Sequence, residues 1–66
     1  MVKALGKNIR SIRTNKKMSR KELAEKAGIS VFAVIDVELG RIKSPLFTTI
    51  ANIADVLGVT IDELRK

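Results

Sequence analysis

Two serines and two glycines constrain the fold of this chain more than any other feature. Ser19 stands three residues before Glu22, the pattern in which a hydroxyl and a carboxylate satisfy each other's orphan helix donors. Gly28 lies where a helix begun at Ser19 needs a left-handed closing residue. Ser30 follows as a second N-cap, and Gly40 ends the run that it opens. The spacing predicts two short helices over 20–27 and 31–39, joined by a tight turn.

Similar punctuation runs through the rest of the chain. A first helix is predicted over 2–16, with Leu5, Ile9 and Ile12 on one stripe. Gly6 costs that helix about 1 kcal/mol against alanine. Met18 anchors the following turn, and Leu23, Ala24 and Ala27 form the inward face of the second helix. Ala24 permits two crossing helices to approach closely where a bulky side chain would hold them apart. Val31–Val37 is rich in β-branched residues and reads as a strand by propensity. Its flanking caps and the helical spacing of Val34, Val37 and Glu38 overrule that reading. Pro45 suits the start of a fourth helix over 46–57, whose core stripe is Phe47, Ile50, Ile53, Ala54 and Leu57. Gly58 closes it and Val59 returns to the core. Thr60 and Glu63 make a second capping box for a fifth helix over 61–65, with Leu64 inward. The expectation is one all-α domain over residues 1–66.

Composition narrows the function. The 66 residues include neither cysteine nor histidine, so disulfides, thiolate metal sites and the commonest acid–base group are absent. No cofactor, metal or enzymatic activity is expected. No apolar run approaches the roughly 18 residues of a membrane span, and a cytoplasmic protein of bacterial, phage or mobile-element origin is expected. Charge is unevenly placed. Residues 1–21 hold Lys3, Lys7, Arg10, Arg13, Lys16, Lys17, Arg20 and Lys21 with no acid, whereas residues 44–66 carry a net charge of −1. Such asymmetry points to a polyanionic partner. Beside two capped helices joined by a turn, it points to a helix-turn-helix and duplex DNA.

The chain resembles the phage-repressor and Cro-like helix-turn-helix family, often called the XRE family. Leu-Gly-Lys-Asn-Ile-Arg-Ser-Ile-Arg at 5–13 is similar to the family's first helix, and Ser19 to Ile29 to its second helix and turn. Glu38 and Gly40 match the end of its third helix, and residues 53–64 match its last two. The resemblance implies a five-helix, lambda-repressor-like domain that binds operator DNA, usually as a dimer. It implies phosphate contacts at Ser19 and Arg20 and at Arg41 and Lys43. Helix N-termini attract anions on physical grounds as well, and Lys17 and Ser30 are further phosphate-binding candidates. The resemblance also pairs Arg13 with Glu38, a bidentate geometry suited to partial burial. Leu46, Val56 and Ile61 are the dimer-interface candidates.

The sequence departs from the family pattern at the positions that read bases: Val31, Phe32, Ile35 and Asp36 stand where glutamine, serine, arginine or asparagine is common. At about 100° per residue, Phe32, Asp36 and Leu39 point away from the Val34/Val37 face, with Ile35 beside them and Val31 at the rim. Three readings stay open. The apolar residues contact thymine methyls while Asp36 accepts from cytosine N4, with DNA shape and phosphate contacts supplying the rest. Alternatively, Phe32, Ile35 and Leu39 form a protein-binding patch. In the third reading, the helix register is wrong and some of these residues are core. The function expected first is a transcriptional regulator, a repressor or controller dimer on a two-fold operator; the second is a protein-interaction module.

Overall fold

The computed structural model describes residues 2–42 and 46–66, with residues 2 and 3 described by backbone alone. The punctuation above becomes five helices: α1 (Val2–Asn15), α2 (Arg20–Ala27), α3 (Val31–Glu38), α4 (Phe47–Leu57) and α5 (Ile61–Arg65). The Ser19 hydroxyl accepts from the Glu22 amide at 3.0 Å and that of Ser30 from the Ala33 amide at 3.1 Å. Thr60 and Glu63 exchange both bonds of a capping box. The Thr60 amide, and then its hydroxyl, hold the Glu63 carboxyl below the usual carboxylate range. Glu22 does not return the Ser19 bond; its carboxylate lies 3.8 Å from Lys26 Nζ.

The C-termini of the first four helices close alike. In each, one amide bonds three residues back and the next amide five residues back, around a left-handed residue. That residue is Gly28, Gly40 or Gly58 after α2, α3 and α4, but Lys17 after α1, at φ 57°. α1 therefore ends at Asn15, one residue short of its predicted end. α3 likewise ends at Glu38, with Leu39 as its C-cap, and α4 begins at Phe47 with Leu46 as an N-cap that makes no side-chain bond. The predicted helix start at Pro45 lies outside the described residues.

Each helix contributes at least one side chain with almost no exposure: Ile9, Leu23, Val34, Val37, Ile53, Leu57 and Leu64. Burying each is worth about 1.5–3 kcal/mol. Met18, Ile29, Ile42 and Val59 pack in from the connections. α2 rests on α3 and α4, α1 on α3 and α5, and α4 on α5. Asn8 Nδ2 donates to the Leu64 carbonyl at 2.8 Å and ties α5 to α1.

Two details depart from the sequence reading. Phe47 is not core: it is 71% exposed, because it occupies the first turn of α4, one turn before the part that meets the other helices. Gly6 is more than a weak point in α1. A Cβ there would lie against the Val37 carbonyl oxygen and 2.6 Å from that of Glu38. The missing side chain is what allows α1 to approach the end of α3.

Candidate nucleic-acid interface

The seat of α3 is electrostatic as well as apolar. Glu38 points inward with its side chain fully buried. Arg13, across on α1, donates from Nε to Glu38 Oε2 at 2.6 Å and from Nη2 to Oε1 at 3.3 Å. The remaining Arg13 nitrogen donates to the Met18 carbonyl at 2.7 Å and fixes the turn into α2. Such a pair survives burial because its polar atoms are satisfied. Among the described residues, no buried side-chain polar atom lacks a partner.

Arg20 joins this centre. Its Nε donates to Glu38 Oε1 at 2.9 Å, with the side chain about one-third exposed. One carboxylate thus holds two guanidinium groups, and through them α1, the first turn of α2 and the end of α3. The sequence gives Arg20 only a phosphate role. Residue 20 is remote from 38 in sequence, so only the crossing of α2 on α3 could reveal the bond. Arg20 follows the Ser19 N-cap directly, and about a third of its side chain stays exposed.

A second acid of α3 positions the other arginine. Arg41 Nη1 lies 3.5 Å from Asp36 Oδ1, both partly exposed. Lys17, Ser19 and Ser30 are exposed, while Lys43 lies outside the described residues. Each serine hydroxyl accepts a cap bond and keeps a proton to donate outward. Of the eight cations in the N-terminal segment, Arg13 and Arg20 serve Glu38, whereas Lys7, Arg10, Lys16, Lys17 and Lys21 are exposed.

The register of α3 is that of its caps: Val34, Val37 and Glu38 are buried, Phe32 is 72% exposed and Leu39 is 48% exposed. Ile35 and Asp36 are half-buried between them, and Val31 packs partly on the core. The reading in which this outer face was core is thereby removed. Leu46 is 72% exposed, while Val56 and Ile61 are half-buried against the core. No helix of the described residues is long and apolar enough to cross a membrane.

Comparison with known proteins gives a consistent picture. A family model described as helix-turn-helix matches residues 9–64. The HTH-type transcriptional regulator YqaE of Bacillus subtilis is 36% identical over 59 residues, which cover 89% of this chain and 50% of that protein. The chain therefore spans about half the length of this curated relative. The restriction-modification controller protein C.AhdI of Aeromonas hydrophila superposes with a TM-score of 0.89 at 28% identity, over 96% of this chain and 94% of that one. The DNA-binding domain of SinR from Bacillus subtilis gives 0.88 at 29% identity, over 94% and 90%. SinR solved in complex with DNA matches equally well, at 0.88 and 29%, over 94% of this chain and 98% of that one.

Proposed function

This chain belongs to the helix-turn-helix (HTH_3) family, and we propose that it is a transcriptional regulator that places α3 in the major groove of duplex DNA. The observation that carries this reading is the pair of guanidinium groups beside α3, Arg20 and Arg41, each held by a carboxylate of α3 itself. In this reading they meet the phosphates that flank the inserted helix. With Ser19, Ser30 and Lys17 they form a phosphate clamp, and Lys43 extends it. The regulator acts in the cytoplasm as a homodimer, through Leu46, Val56 and Ile61, on half-sites about 34–36 Å apart. Its resemblance to the controller protein C.AhdI and the biofilm regulator SinR supports a regulatory role, which we take to be that of a controller or repressor.

The test is a mobility-shift titration of the full chain against random-sequence duplexes over a range of salt. Affinity should fall steeply with salt. Arg20→Glu and Arg41→Glu, each checked for the parent's melting temperature because both arginines pair with α3 carboxylates, should weaken binding to all sequences alike; affinities equal to the parent would remove them from the clamp. Arg20→Gln separates loss of charge from reversal. A second reading, a protein-interaction module, is favoured by the exposure of Phe32 and Leu39. It requires an oligomer that persists in high salt without DNA, measured by solution mass.

A further inference from the structure

We propose that the outer face of α3 reads the C5-methyl groups of pyrimidines in the major groove, so that 5-methylcytosine is recognised there as thymine is. The proposal rests on the DNA-binding reading above and specifies its ligand.

No side chain from Val31 to Leu39 carries a hydrogen-bond donor. Adenine and guanine are told apart in the major groove chiefly by bidentate donors such as asparagine, glutamine and arginine. α3 offers none. Of its two carboxylates, Glu38 is buried against Arg13 and Arg20, while Asp36, with one oxygen 3.5 Å from Arg41, can accept but not donate. The outward surface that remains is Phe32 and Leu39 with Ile35 between them, all apolar. The apolar feature that bases present in that groove is the thymine C5-methyl. Cytosine methylated at C5 carries the same group at the same ring position.

Charge selects this occupant over an apolar protein surface. Arg20 and Arg41 reach Glu38 and Asp36, the α3 residues next to Leu39 and Ile35 in sequence, and the exposed Lys16, Lys17 and Lys21 lie at the entry to α2. An apolar strip between cations complements a methyl-bearing groove floor between two phosphate backbones. An apolar protein partner would offer the exposed Lys16, Lys17 and Lys21 no counter-charge, whereas a duplex backbone does.

The test begins with duplexes selected from a random pool by the full chain, measured by fluorescence anisotropy at fixed salt. Uracil in place of thymine should weaken the tightest duplex about three- to fivefold at each contacted position. Changing a contacted T·A pair to C·G should weaken binding similarly, and methylating that cytosine at C5 should restore most of the loss. Phe32→Ala, at an exposed position where an unchanged melting temperature reports retained folding, should flatten the thymine–uracil difference. A difference that arose from DNA shape alone would persist in that variant and overturn the proposal. Equal affinity for thymine and uracil duplexes, or for cytosine and 5-methylcytosine duplexes, would overturn it too while DNA binding stands. Failure to bind any duplex in dilute buffer would instead overturn the DNA-binding reading, and this proposal with it.

Discussion

α2 and α3 each run for eight residues, begin on a serine cap and bury three side chains, yet they present opposite exteriors. Outside, α2 shows Lys21, Glu22, Glu25 and Lys26, whereas α3 and its C-cap show Phe32, Leu39 and half-buried Ile35, with Asp36 as the half-buried acid beside them. Their undersides differ in the reverse sense. α2 sits on Leu23, Ala24 and Ala27, while α3 adds a buried carboxylate to two valines. The polar anchor of α3 is therefore beneath it and its greasy surface is in water, an inversion that folding alone does not require. An apolar exterior held on a fixed electrostatic seat is organised for contact with something outside the chain.

The contrast can be broken most severely from below. Glu38→Ala leaves Arg13 buried without its partner and should cost about 3–5 kcal/mol. A domain of this size has about that much stability in total. Urea titration followed by circular dichroism should show it largely unfolded, while Glu22→Ala on α2 should remain close to the parent. Gly6→Ala presses a methyl group on the carbonyls that end α3. It should destabilise by about 1–3 kcal/mol by overpacking, although alanine inside an isolated helix would gain about 1 kcal/mol. A more stable variant in the same titration would mean that α1 can retreat from α3.

Smaller effects refine the comparison at the entry turns and exteriors. α3 is entered through Gly28 but α2 through Lys17, each in the left-handed region. Lys17→Gly should raise stability by about 0.5–1 kcal/mol, the left-handed strain relieved less the entropy of glycine. A fall in melting temperature would show that the lysine stem packs usefully. Phe32→Ala and Lys26→Ala, one from each exterior, should both stay within about 0.5 kcal/mol of the parent. If Phe32→Ala fell by about 3 kcal/mol or more, the lower end of a buried aromatic truncation, the face would be structural rather than an exterior kept for contact.

Helix caps made the architecture legible. Ser19, Ser30 and Thr60 opened helices, and Gly28, Gly40 and Gly58 closed them. They also settled α3 as a helix, although its valines and isoleucine favour a strand. Periodicity identified the core wherever a stripe meets another element, and failed at Phe47, where the stripe runs past the packed region. The end of α1 was misplaced by one residue because its left-handed closing residue is a lysine and carries no signature. Arg20–Glu38 and the close approach at Gly6 depend on how helices cross, which neither spacing nor propensity encodes. Of the interface, the residue types could be read directly; that Asp36 and Glu38 each hold an arginine could not.

The contact at Gly6 also separates two kinds of change. The tilt of α3 against α1 is set by backbone atoms, which no rotamer shift can relax, and by a carboxylate locked between two arginines. Positions 32, 35 and 39 share neither constraint. Side chains at those three positions can therefore be exchanged for glutamine, asparagine or arginine with the angle of α3 carried over intact.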